Sequence, residues 1–286
     1  NKLKSIIVNG KNIDTDVLVL AIGHSARDTF KMMNQKKFLM ESKPFAVGVR
    51  IIHPQKIINE NQYPVNYSFL PPASYKLTYK SKSGRGVYSF CMCPGGYVVN
   101  ARSTEDGICI NGMSNYKRET NYANSAIVVT VNNEDYGNGV LDGMIFQEKL
   151  EKNAYKIGNG FIPVQKYGDY KIGLVSSNVD VNAFKGHCNG ANINDIFPTY
   201  INESLVEGID YFNNKINGFN DTDAIIAAPE ARTSSPIRIC RDENFEANVK
   251  GVYPCGEGAG YAGGITTSAM DGLKIFEAIY KKYKNE

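Results

Sequence analysis

Two hydrophobic spacings divide this chain. Residues 17–22, VLVLAI, form an unbroken apolar run, the pattern of a strand covered on both faces in a parallel sheet. Just before it, residues 3–8 and Ile13 flank Asn9-Gly10, which predicts a hairpin with an Asn-Gly turn. Near the other end, residues 252–255 read as a short apolar strand, and Ile265, Ala269, Leu273, Phe276 and Tyr280 then recur every three or four positions. That period predicts a helix whose apolar face packs inward, with Lys281, Lys282 and Lys284 in its last turns, where they complement the dipole.

Between these ends the pattern shortens. Residues 46–52 alternate as a strand does, a polar segment runs to Tyr67, and residues 84–93 and 97–101 flank Pro94-Gly95-Gly96 as strand, turn and strand. Residues 109–113 and 126–131 add further strands. Residues 146–155, with Phe146, Leu150 and Tyr155 on one face, and residues 201–213 predict helices, while the segment holding residues 161–165 and His187-Cys188 reads as loop-rich. This much antiparallel β material is too long for a loop and reads as an inserted domain. From Ala224 the texture returns to that of the N-terminal end, with residues 225–228 as another apolar strand. The expected fold class is therefore α/β: residues 1–43 and 224–286 pack into one domain, interrupted by a mostly antiparallel, β-rich (α+β) domain over residues 44–223.

Composition narrows the function. A net charge of +3 with scattered lysines argues against nucleic acid as a partner. No apolar run approaches the roughly 20 residues that cross a bilayer, and no secretory signal opens the chain, so no membrane partner is expected. Six cysteines in 286 residues are too sparse for a disulfide framework and point to a reducing, cytoplasmic setting. Cys91-Met-Cys93 is too isolated for a zinc site and the chain has three histidines, so no metal is expected.

The candidate chemistry lies at the ends. Six glycines fall between Gly251 and Gly264, where each costs conformational entropy unless backbone must approach something closely. They lead into a helix, whose N-terminal N–H groups favour an acceptor or anion. Gly256, Glu257 and Gly258 form the start of that turn, and Gly263, Gly264 and Ile265 its junction with the helix. Gly258, Gly260 and Gly263 spell GxGxxG, but no strand and acid follow, so the turn is not a self-contained dinucleotide fingerprint. Glu257 is placed to accept hydrogen bonds from ligand hydroxyls; the alternative is a glycine-rich turn packed onto its own helix. Gly23, His24 and Ser25 end the first apolar strand, where ligands of open α/β sheets collect, although a lone histidine there also serves structure. Arg232, with the hydroxyls behind it, suits a phosphate or an electron-rich ring edge, and Arg238 and Arg241 either share that task or are solvated.

Several motifs occur together and in order: VLVLAIGHS, FCMCPGGYV, EARTSSPIRI and VYPCGEGAGYAGGI. Together they resemble the FAD-dependent dehydrogenase family related to NAD-utilising dehydrogenases, flavoproteins with two dinucleotide-binding domains, over nearly the whole chain. The resemblance implies a glutathione-reductase-like FAD domain interrupted by a substrate domain, with the flavin held between them and NAD(P) as a candidate electron partner. It places Glu257 at the ribityl hydroxyls and the backbone of Gly263, Gly264 and Ile265 at the flavin ring. The first βαβ of such a domain is missing, which reads as an N-terminal truncation. The resulting expectation is a flavin-dependent oxidoreductase of a small-molecule substrate, with Cys93, Gly95, His187 and Arg232 as candidates for the substrate face. Its rivals are a non-catalytic binding module built on the β-rich region and a flavin enzyme acting on RNA.

Overall fold

The computed structural model describes residues 1–63 and 69–284. Its chain forms two compact units, one of Asn1–Phe45, Asn132–Phe146 and Arg232–Glu286, the other of Ala46–Val131 and Gln147–Ala231.

In the first unit the Asn-Gly signal does what its chemistry predicts. Ser5–Val8 and Lys11–Asp14 pair antiparallel, with Asn9 (φ 50°) and Gly10 (φ 75°) both in the left-handed conformation that a two-residue hairpin needs. Leu18–Leu20 pairs parallel with Val252–Pro254, in register Leu18 to Val252 and Leu20 to Pro254, so the two distant apolar runs do meet in one sheet. Met40–Ser42 pairs antiparallel with Ile237–Ile239. The core gathers Phe30 and Met33 from the helix Arg27–Gln35 with Met40, Met144, Ile237, Ile239 and Ala259. A second cluster packs Tyr253 and Cys255 on Ile275 of the closing helix, Ile265–Tyr283.

Two burial expectations fail in this unit. Residues 17–22 are only half-buried, with Val19 45% exposed: Leu20 and Ile22 lie against the first cluster and Val17 against the second, in a sheet of two strands. The closing helix packs through Asp271 and Ile275, with Ile279 partly covered. Its apolar stripe, including Ile265, Leu273, Phe276 and Tyr280, points to solvent. The 3.6-residue period identified a helix correctly and chose the wrong side of it.

The second unit is built on a seven-stranded sheet. Its order is Cys188–Gly190, Ile162–Lys166, Ile225–Glu230, Phe45–Pro54, Tyr122–Val131, Gly86–Cys93 and Thr78–Lys80. The ladders from Ile162–Lys166 to Ile225–Glu230 to Phe45–Pro54 are antiparallel, as are those that join Gly86–Cys93 to its neighbours, and Cys188–Gly190 is added parallel. The helix Thr199–Phe212 packs against the strands Tyr122–Val131, Gly86–Cys93 and Thr78–Lys80. A three-stranded sheet orders Phe184–Lys185, Gly96–Asn100 and Ile110–Ser114.

Several boundaries differ from the sequence reading. Residues 225–228 belong to the second unit, inside its sheet, while Asn132–Phe146 joins the first. Residues 162–166, read as loop, form a strand buried along most of its length. Gly86–Cys93 and Gly96–Asn100 are strands on either side of Pro94-Gly95, yet they enter different sheets. The segment read as polar up to Tyr67 contains the helix Gln55–Gln62, and its end, 64–68, lies outside the described residues. Among the described residues no helix is long and apolar enough to cross a membrane.

Candidate functional site

The parallel pair brings two turns of the first unit side by side. Leu20 O accepts the Cys255 N–H at 3.0 Å, and beyond this point the chain turns at Gly23–Ser25 on one side and at Gly256–Gly264 on the other. His24 Nδ1 and Glu257 Oε1 lie 2.5 Å apart, which ties the turns together through side chains. The His24 side chain is 8% exposed and its Nε2 is buried with no hydrogen-bond partner, whereas Glu257 keeps about a third of its surface in solvent. Arg232 Nη1 donates to Ser25 Oγ at 3.0 Å, so a third segment is fastened to the same turn.

The glycines of the loop divide by what surrounds them. A Cβ on Gly258 would collide with the backbone of Gly23, and one on Gly260 would lie 2.6 Å from Ile237 O at a φ of +85°. These two are glycines because protein backbone passes close by, which is the packing alternative weighed for the whole motif. Gly263 and Gly264 are different. Nothing lies within 4 Å of a Cβ on Gly263, and a Cβ on Gly264 would meet only Thr267 Oγ1 at 4.0 Å. Gly264 is extended, at φ −173°, a conformation any residue adopts. Neither contact nor conformation within the protein requires glycine at these two positions.

The same junction opens the closing helix. Gly264 O accepts the Ser268 N–H at 2.9 Å, while Thr267 Oγ1 accepts the N–H groups of Gly263 and Gly264 at 3.3 and 3.1 Å. The amides of Ile265, Thr266 and Thr267 are left without an acceptor among the described residues, at the positive end of a 19-residue helix. Of Gly263, Gly264 and Ile265, whose amides are expected to face a ligand, Thr267 Oγ1 takes up the first two.

Beneath the loop sits a contact that sequence reasoning missed. Asp271 accepts Arg241 Nη2 at 2.6 Å and Nη1 at 3.0 Å, and also the Gly256 N–H at 2.8 Å. Burial alone raises a carboxyl pKa, but the hydrogen bonds from Arg241 and Gly256 outweigh it and hold Asp271 below the ordinary carboxylate value. Arg241 also lies 3.6 Å above the Tyr261 ring and donates to Pro254 O at 2.9 Å. It is an anchor of the loop and is not solvated. The available signal was an acid placed one helical turn before Ile275, on the buried side. Arg238 instead pairs with Glu41 at the surface.

Lys43 was also missed, and nothing in its local sequence marks it. Burial and then the nearby Arg238 charge push its ammonium below the usual lysine range, while Glu257 acts in the opposite sense. Cys93, Gly95 and His187 belong to the second unit. Cys93 is buried, a Cβ on Gly95 would collide with the Arg118 carbonyl, and the exposed His187 has its ring 5.6 Å from that of Phe161. A cleft of about 590 Å³ in the first unit runs along Phe245, Glu246, Tyr253, Lys274 and Lys282, and none of the glycine-loop residues lines it.

Residues 44–233 match the model of the family described as FAD-dependent protein, C-terminal domain-like. The chain belongs to this family. It is 48% identical, over 291 aligned residues, to an uncharacterized protein of Clostridium beijerinckii. That alignment takes in 99% of this chain and 55% of the relative, so the chain spans about half the length of the relative it matches. The family match covers the whole of the second unit and includes Arg232, while the two turns joined by His24 and Glu257 lie outside it.

Proposed function

We propose that this member of the FAD-dependent family is a flavin-dependent oxidoreductase and that its first unit holds the flavin at the glycine loop. The observation that carries the reading is the pair Gly263 and Gly264: two glycines with open space over them, beside three unpaired helix amides. A flavin fits what surrounds them. Glu257, oriented by His24, accepts hydrogen bonds from ribityl hydroxyls, and the buried Nε2 of His24 is a polar atom in want of a partner. The amides of Ile265, Thr266 and Thr267 would donate to acceptors of a bound flavin, where the helix dipole favours negative charge. Lys43, close enough to feel Glu257, adds a cation on the same side. Bound FAD would supply the electron-carrying ring; the residues here orient it and bias its charge.

The substrate is proposed to be a small molecule and the electron partner NAD(P), in a cytoplasmic setting. Titration of the protein with FAD, followed by quenching of flavin fluorescence, tests the site. Saturable binding that Gly264→Val abolishes supports it, and a chain that takes up no flavin overturns it in favour of a non-catalytic binding module. Anaerobic bleaching of bound flavin by NADH, NADPH or candidate substrates then tests the reaction.

A further inference from the structure

The second unit carries a pair of sulfurs that the flavin reading leaves unused. On the strand Gly86–Cys93, Phe90 pairs with Ala126 and Cys93 with Asn124, so Cys91 and Met92 together oppose Ser125 alone. This is a β-bulge, and its first residue, Cys91, is held at φ +48°, the left-handed position that such bulges ordinarily give to glycine. A cysteine kept in a conformation that glycine would adopt freely has a reason other than backbone shape. The bulge leaves Cys91 exposed and Cys93 buried, and the Cys93 thiol donates to the Cys91 carbonyl oxygen at 3.5 Å.

A buried cation lies under the pair. Arg50 is fully buried, paired with Glu230 through Nε at 3.0 Å and Nη2 at 3.1 Å, and it donates Nη1 to the Cys91 carbonyl at 3.1 Å and to Asn124 Oδ1 at 2.9 Å. Its positive charge also favours the Cys91 thiolate. On the open side, Cys91 and Met92 line a cleft of about 580 Å³ with Gln62, Tyr75, Lys76 and Lys215. Among the described residues no third ligand joins the two sulfurs in a metal cluster.

We propose that Cys91 and Cys93 form a redox-active dithiol that reduces a carboxylate-bearing, low-molecular-weight disulfide in this cleft. The Cys91 thiolate attacks one sulfur of the disulfide, that S–S bond breaks, and the first thiolate leaves. The Cys93 thiol gives its proton to a departing thiolate and attacks Cys91 Sγ, expelling the second. The sum is one substrate disulfide reduced to one thiol and one thiolate and one Cys91–Cys93 disulfide formed, a two-electron exchange with no further reactant. The division of labour follows exposure. Hydrogen bonding from the Cys93 thiol, together with Arg50, lowers the exposed Cys91 to about 6, while the same contact and burial push Cys93 well up. An accessible thiolate that attacks and a buried thiol that resolves are the two roles exchange requires. Lys76 and Lys215 at the rim suit a carboxylate.

The test is exchange with oxidised glutathione, read by peptide mass mapping without reduction. The unaltered chain is expected to lose two hydrogens and yield a Cys91–Cys93 link. Cys93→Ser is expected to accumulate a glutathione adduct on Cys91, and Cys91→Ser to yield none on Cys93. Alkylation of Cys91 against pH should have its midpoint near 6, with Cys188, whose thiol burial pushes up to about 12, as the slow internal control. A chain in which oxidised glutathione forms no Cys91–Cys93 link overturns the proposal, even if the variants misfold. A Cys91 midpoint in the ordinary thiol range overturns it as well.

Discussion

His24 Nδ1 and Glu257 Oε1 stand 2.5 Å apart although 233 residues separate them in the chain. Each orients the other, so removing either disturbs a pair. Glu257→Ala is expected to weaken FAD binding by about 1–3 kcal/mol, or roughly 5- to 150-fold in Kd, the loss of a charged acceptor. His24→Ala should weaken it less than additively with Glu257→Ala, since the two act on one carboxylate. Titration calorimetry on both single variants and the double variant checks this; an unchanged Kd for Glu257→Ala removes Glu257 from the site.

The glycine loop gives an internal contrast. Gly264→Val is expected to leave the melting temperature of the flavin-free protein nearly unchanged, because the added Cβ meets nothing closer than Thr267 Oγ1 at 4.0 Å. FAD should then no longer raise that temperature. Gly258→Ala should lower the flavin-free melting temperature by itself, since its Cβ collides with the Gly23 backbone, a clash costing about 1–3 kcal/mol. If the two variants melt alike without flavin, the division of the glycines is wrong.

Asp271 lets the loop be dissected by acid. Its pKa is held below the unfolded value of about 3.9, so its stabilisation is present above that pH and is lost as pH falls through the lower, folded value. Asp271→Ala should cost on the order of 3–5 kcal/mol near neutrality, because Arg241 is left as a buried charge without its partner. The gap between parent and variant should narrow below about pH 4. Urea melts at pH 7 and pH 3 read it, and a gap that stays constant would remove the ion pair from the account.

His53 predicts the opposite kind of pH window. It is fully buried, its Nε2 lies 2.7 Å from Phe219 O, and burial lowers its pKa to about 4. An unfolded histidine titrates near 6.5, so between that pH and about 4 the unfolded chain takes up a proton that the folded chain refuses. Stability should therefore fall by on the order of 3 kcal/mol over this range and level off below it. His53→Gln should flatten that slope; equal slopes for parent and variant would show that the buried ring does not control it.

Much of the local structure was legible in the sequence, and most of the pairing was not. Asn9-Gly10 specified its hairpin because two left-handed residues in succession have few other uses. Residues 225–228 were assigned to the wrong unit because an apolar run reports burial on both faces and is silent on strand direction. Here the run sits inside an antiparallel sheet. The strand Ile162–Lys166 was missed since Pro163 breaks the pattern, although its partners need only part of its backbone. At the site, Glu257 and the glycines were visible as a cluster. Lys43 and the pairing of Arg241 with Asp271 were not, because their roles arise from neighbours that only the fold supplies.

The parallel pairing of Leu18–Leu20 with Val252–Pro254 also sets an order of events during synthesis. A ribosome adds about 5–20 residues each second, so the first of these strands emerges roughly 10–50 s before its partner exists. Through that interval His24 has no Glu257 to meet. Most of the seven-stranded sheet is already in the nascent chain by then, since its last strand ends at Glu230. The two turns that His24 and Glu257 join thus come together late in synthesis, and on the reading proposed above a chain that stops short of the closing helix lacks the amides offered to the cofactor.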